Sequence, residues 1–385
     1  MIHALEGLRG VAALLVAFYH LHLMRAGPLA GGYLMVDLFF VLSGYILFRT
    51  YADKLDRPAA LAPFVTRRAG RLLPLYLFAT LLTFLAFALA DAGRAALAGA
   101  GLEPAAGSFY LPSLADVVAN LTLTHFLTLA GARVIDWPSW SIGTEFYVYL
   151  LFALVCVRVP RRGLALAAGL LAATAAGAFA WLRVGQGCVV TGQCLNAYQD
   201  LGFLRCVAGF FYGGLLWLLT RRPNPRRDAL LTRAQLPLLA LLLGLLALAS
   251  THAGAEFALP PLFGLLVLTL ATDRGVLARC LQRPAAQTLG RLSYSIYLVH
   301  APLAVGVEFA LAHAGAARPA LLPLALAGYG AALLGLAART QAEIEVPGRD
   351  YFNALARRLG RADDAATPAA TGAKVSQAPH SRHAL

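Results

Sequence analysis

The stretch "EGLRGVAALLVAFYHLHL", residues 6–23, decides how the rest of the chain is read. It is apolar enough to sit in lipid, yet it carries Arg9 and His20. Eleven residues apart on a helix, the two are about 20° from eclipsed and about 16 Å apart along the axis. One face therefore carries both. Ionisable side chains at membrane depth are costly and turn toward a bundle interior or a water-filled path. The bland account, a snorkelling arginine with an interfacial histidine, stands beside the functional one for this pair alone.

The whole chain repeats the pattern of that first run. Of 385 residues, 59% are hydrophobic and 13% charged, against about 45–50% and about 25% in soluble proteins. A single all-α polytopic membrane domain follows, with length read as a count of spans. The net charge of +13 lies in short basic runs between apolar segments, where it orients a membrane protein rather than binding nucleic acid. No cleavable leader is expected, because the first apolar run has no basic head and contains Arg9.

Apolar runs predict ten transmembrane helices near 5–24, 33–50, 72–90, 140–157, 163–182, 201–220, 235–251, 258–272, 292–312 and 320–338. With both termini cytoplasmic, 26 of the 32 Lys and Arg fall inside, which the positive-inside rule requires. The exceptions are Arg25, Arg94, Arg133, Arg183, Arg205 and Arg318. The segment 115–131, "ADVVANLTLTHFLTLAG", is too polar for a span and would invert this charge pattern, so it reads as a re-entrant or interfacial helix on the outer face. The membrane domain is expected over 1–345, followed by a cytoplasmic tail, 346–385, largely disordered after about 361. No internal repeat is evident, which weakens a transporter built from duplicated halves.

Cys156, Cys206 and Cys280 read as buried hydrophobes or free thiols. Cys188 and Cys194 share the outer loop "CVVTGQC", which an oxidising periplasm is expected to close as a disulfide.

Polar residues recur at matching depths. The second span places Asp37, and the fourth Glu145, near the level of His20. A carboxylate facing an imidazole fixes its tautomer and favours its protonated form, as a general base requires; a structural polar network is the competing account. At the cytoplasmic mouth of the third span, "FVTRRAGRLLPLY" sets Arg68 and Arg71 three residues apart on one helical face. Paired guanidinium forks near a helix start suit phosphate, although positive-inside charge alone would also place them. In the ninth span, "LGRLSYSIYLVH" brings Ser293, Tyr294, Ser295, Tyr297 and His300 into or near the membrane, with His300 expected to support rather than react.

Together these stretches resemble the acyltransferase-3 family of integral membrane acyltransferases, typified by bacterial O-antigen and exopolysaccharide O-acetyltransferases. The resemblance runs in order through "LEGLRGVAALLVAFYH", "VDLFFVLSGYILF", "RRAGRLLPLY", "WSIGTEFYVY", "LGRLSYSIYLVH" and "EIEVPGRD". It implies a ten-helix enzyme of the bacterial inner membrane. Its reaction would move an acyl group, commonly acetyl, from cytoplasmic acyl-CoA to a hydroxyl of a carbohydrate or similar acceptor. By the same resemblance, His20 is the catalytic histidine, Arg9 its paired arginine, and Arg68 with Arg71 the donor-phosphate site. Trp140, Ser141 and Glu145 fall in the motif on the outer half of the bundle, and Glu345 with Pro347 in the last one. Asp37, Tyr297 and His300 are acceptor-side or supporting candidates, Glu145 or Asp37 orienting the imidazole. Acyl-CoA enters as co-substrate, with no resident cofactor and no metal expected. No periplasmic hydrolase-like domain of the kind fused to some members of that family is expected after the tenth span, where a short tail follows. Two other classes fit the same polar residues: a carrier or flippase using them as a proton relay, and a structural scaffold.

Overall fold

Apolar runs in lipid must satisfy their own backbone groups, and helices do so within one segment. The computed structural model describes residues 2–21, 30–99, 111–127, 132–191, 194–197, 201–249, 252, 254–313 and 318–366. Among them all regular structure is helical. The elements are α1 His3–Tyr19, α2 Met35–Tyr51, α3 Leu61–Gly99, α4 Leu114–Leu121, α5 Trp140–Arg158, α6 Leu164–Gly185, α7 Cys188–Thr191 and α8 Gly202–Thr220. There follow α9 Pro225–Arg233, α10 Gln235–Ala249, α11 Leu259–Ala271, α12 Val276–Leu281, α13 Pro284–Ala312, α14 Arg318–Thr340 and α15 Val346–Ala366.

Seven of the described helical stretches are long and apolar enough to cross a membrane, and the bent pair α9–α10 makes an eighth. The first and eighth expected spans fall on α1, 17 residues long, and on the apolar stretch Ala255–Ala271. Seventeen residues rise about 25 Å, slightly less than a hydrocarbon core of about 30 Å. The chain is thus an all-α polytopic membrane bundle. α3 is longer than expected: residues 61–71, assigned to a cytoplasmic loop, continue the helix because nothing in "LAPFVTRRAGR" breaks it.

Close helix contacts rest on small residues. A Cβ on Gly10 of α1 would collide with the backbone of Gly290 of α13, and one on Gly290 with the backbone of Glu6. This contact aligns α1 with α13 and decides which side chains of the two helices meet.

Beyond residue 345 the described chain continues as a helix. A π-helical turn, Gln341–Glu345, joins α14 to α15, and α15 packs along α3, with Phe352 against Gly70, Gly348 against Pro74, and Ala356 buried. Residues 346–361 therefore belong to the bundle, because the helix buries one face. The helix runs on to Ala366; 367–385, where the tail is expected to be disordered, lie outside the described residues.

α4 is eight residues long, about 12 Å, too short to cross. A capping box between Ser113 and Asp116 starts it. Its Leu114, Val118 and Leu121 are exposed, while Asn120 and the following His125 are buried. Asn120 accepts from the Tyr76 hydroxyl and donates to the Arg133 carbonyl; His125 Nε2 donates to the Ser139 carbonyl. One apolar face and one anchored polar face fit an interfacial segment; residues 128–131 lie outside the described ones. Cys188 and Cys194 form a disulfide.

Candidate active site

Arg9, Arg68 and Arg71 line one cavity of about 150 Å³ with Glu145, Tyr149, Ser141 and Tyr297. Four helices that are distant in sequence, α1, α3, α5 and α13, supply these walls, and α2 closes the side with Ser43 and Phe39. Arg68 lies over the Tyr51 ring at 5.3 Å and donates to its hydroxyl at 3.3 Å. Its buried Nε has no partner. Arg71 pairs with Glu345, whose other oxygen accepts from Ser295 at 2.8 Å, and its guanidinium lies 5.0 Å from the Tyr294 ring centre. The π-helical turn is what points Glu345 inward, a use such turns often have. Three cations against Glu145 and Glu345 leave the cavity positive, which suits an anionic ligand. Its volume is below the roughly 300–1,000 Å³ of drug-sized sites, so it has room for the narrow arm of a larger molecule.

His20 caps the end of α1 and is partly exposed. Its Nδ1 lies 3.0 Å from the Val16 carbonyl and 3.1 Å from His300 Nε2, with the two rings stacked at 4.9 Å. His300 Nδ1 lies 2.6 Å from the Tyr297 carbonyl. Carbonyl oxygens only accept, so both Nδ1 atoms carry hydrogen. His300 Nε2 is then the acceptor for His20 Nδ1–H, and His20 Nε2 keeps its lone pair. The imidazole that meets His20 Nδ1 is that of His300.

Asp37 does not face His20. It holds Arg205 through two hydrogen bonds of 2.7 and 2.6 Å, joining α2 to α8. Arg205 also donates to the Ala197 and Tyr33 carbonyls and lies over the Trp140 ring at 5.6 Å. Trp140 is thus packed against an ion pair, away from the imidazoles. Arg205 was visible in the sequence as a charge inside the run "GFLRCVAGFFYGGLL"; an intramembrane charge demands a partner, and Asp37 supplies it. Glu145 stays in the arginine-lined cavity with Tyr149, whose hydroxyl is 3.1 Å from Ser43.

The cavity walls do not include His20 or His300. Tyr297 stands between: its hydroxyl shares a 2.7 Å bond with Ser141 and donates to the Pro138 carbonyl at 3.0 Å, while its ring meets His300 edge-on at 5.9 Å. One hydrogen-bonded side chain thus lies between the arginines and the imidazole pair.

A helical membrane bundle with a polar interior of this kind is a multi-pass integral membrane protein with a buried site. The chain belongs to the acyltransferase family whose sequence profile, described as "Acyltransferase domain", matches residues 2–338. It is 28% identical over 315 residues to the putative membrane-bound transacylase BcsY of Komagataeibacter xylinus, covering 80% of this chain and 74% of that one. It is 34% identical over 162 residues to Protein 2 in picA locus of Rhizobium radiobacter, 39% of this chain and 79% of that one. Against O-acetyltransferase OatA of Staphylococcus aureus (strain NCTC 8325 / PS 47) identity is 30% over 155 residues, 39% of this chain but 24% of OatA. No solved structure matches the chain. It is a membrane acyltransferase.

Proposed function

We propose that this acyltransferase moves an acyl group, in the simplest case acetyl, from acyl-CoA on the cytoplasmic side of the inner membrane to a hydroxyl of a carbohydrate or similar acceptor on the outer side. The observation that carries the reading is the His20–His300 pair, one side chain away from an arginine-lined cavity. A protein described as a putative membrane-bound transacylase and an O-acetyltransferase among the relatives support the chemistry.

In this mechanism the phosphates of coenzyme A dock at Arg68, Arg71 and Arg9, and the pantetheine arm enters the narrow cavity. Tyr297 turns aside to let the thioester reach His20. His20 Nε2 takes the proton of the acceptor hydroxyl as its oxygen bonds to the acyl carbon. The carbon–sulfur bond breaks, and the departing thiolate takes the proton from His20. Hydrogen bonding to His300 holds the ring in the reactive tautomer and supports the positive charge that forms. General-base help of this kind is worth roughly 10²–10⁴-fold.

The test is labelled acetyl-CoA with protein purified into nanodiscs and an oligosaccharide acceptor. Ester formation that His20→Ala reduces by at least about 100-fold at equal expression supports the proposal. Wild-type rates in His20→Ala remove the mechanism, and an intact thioester beside transported substrate makes the protein a carrier.

A further inference from the structure

The turn that feeds α5, Asp136–Ser139, has its carbonyls committed inward: that of Pro138 to Tyr297 and Ser141, that of Ser139 to His125, and that of Asp136 to the Ser139 hydroxyl. Two of its side-chain polar atoms are not committed. Asp136 is fully buried (0% exposed); one carboxylate oxygen accepts from the Thr83 hydroxyl at 3.0 Å, and the other has no partner. The buried indole N–H of Trp137 also has none. The Trp137 ring stands edge-on to His20 at 6.3 Å and against Phe87 at 5.8 Å.

Buried polar groups without partners are few in folded proteins, because each has given up its water for nothing in return. Here two lie on consecutive residues, the second with its ring against His20, and the transfer step uses neither. Burial pushes the Asp136 carboxyl up to about 7, against the pull of the Thr83 bond, so near neutral pH it both donates and accepts. We propose that Asp136 and Trp137 form the acceptor subsite and that it takes a pyranose ring. This inference rests on reading the protein as an acyltransferase to a hydroxyl. A sugar presents an apolar C–H face that suits the indole, and hydroxyls that give to Asp136 Oδ2 and receive from the Trp137 N–H. A third hydroxyl then reaches His20 Nε2. A hydrocarbon chain would leave both orphan groups unpaired, and a phosphorylated ligand would meet a carboxyl group.

The experiment uses the full chain in nanodiscs with cellotetraose and chitotetraose as probes, following tryptophan emission and, separately, transfer from acetyl-CoA. The wild-type emission should shift with one or both tetrasaccharides. The shift should vanish in Trp137→Phe and persist in Trp181→Phe, which removes an indole 81% exposed on α6. Asp136→Asn should raise the acceptor KM by about tenfold or more, as the loss of one hydrogen bond in a desolvated site does, while the donor KM stays within about twofold. Thermal unfolding of each variant separates loss of fold from loss of binding, and Thr83→Val, which frees the first Asp136 oxygen, provides a milder second variant expected to raise the acceptor KM less. No shift with either sugar, or an unchanged acceptor KM in folded Asp136→Asn and Trp137→Phe, overturns the subsite and leaves the acyltransferase reading intact. Sugar binding through Trp137 without any transfer keeps the subsite and removes the proposed reaction.

Discussion

Replacing His300 by phenylalanine tests whether a second imidazole orients the base. The change keeps an aromatic ring of similar shape at a fully buried position and removes the Nε2 acceptor 3.1 Å from His20 Nδ1. His20 retains the Val16 carbonyl at 3.0 Å, so the tautomer survives, and what is lost is support for the imidazolium formed in the transition state. Hydrogen bonds to charged groups contribute about 1.5–3 kcal/mol. At about 1.4 kcal/mol per factor of ten, the turnover number should fall by roughly 10- to 150-fold. Neither histidine lines the arginine cavity, so the donor KM should stay within about twofold. His300→Gln, whose side-chain carbonyl accepts as Nε2 does, should recover part of the loss. Single-turnover transfer from labelled acetyl-CoA in nanodiscs separates the two parameters. If His300→Phe matches wild type while His20→Ala is inactive, the pair is packing and the orienting role is refuted. If the donor KM moves as much as turnover, His300 acts through the fold.

Three other substitutions probe neighbouring claims. Under the proposed donor docking, Arg68→Ala should raise the donor KM by about tenfold or more with little change in turnover, because Arg68 lines the positive cavity with its buried Nε unpartnered; coenzyme A titration reads this directly. Asp37→Asn leaves Arg205 buried without its ion partner and should cost about 3–5 kcal/mol in unfolding experiments. The double variant Asp37→Leu, Arg205→Met should regain much of that stability together with activity, an outcome incompatible with Asp37 orienting His20. Asp273 accepts the N–H groups of Ala4 at 2.8 Å and His3 at 3.3 Å at the start of α1. Burial pushes its carboxyl up, but the bonds from Ala4, Gln282 and His3 outweigh it and hold it below the usual range. A carboxylate lowered in the folded state adds stability that is complete above its unfolded value, about 3.9, and is lost as pH falls through the folded value. Asp273→Asn should therefore cost about 1 kcal/mol at pH 7, and the difference should shrink as pH falls below the unfolded value of about 3.9 and through the lower folded one, measured by denaturation across pH.

The sequence by itself determined that this is a helical membrane bundle, and roughly where its helices run, because hydrophobic length is a one-dimensional property. It also determined which polar residues need explaining: each charge in an apolar run advertises a cost. It placed Arg9 and His20 on one face, Arg68 beside Arg71, and Cys188 near Cys194, all short-range relations that a single helix or loop fixes. It did not determine who meets whom across helices. Asp37 and Glu145 had equal claims on His20 by depth, and the rotation of α2 about its axis gives Asp37 to Arg205 instead, leaving His300 to face His20. Glu345 reaches Arg71 only because a π-helical turn shifts the register of one helix by a fraction of a turn, and α15 is bound to the bundle only because α3 offers Gly70 and Pro74 as its seat. Depth follows from counting residues, but azimuth follows from packing, and in a bundle of apolar helices the azimuth is set by small residues such as Gly10 and Gly290 whose meaning appears only when both helices are in place.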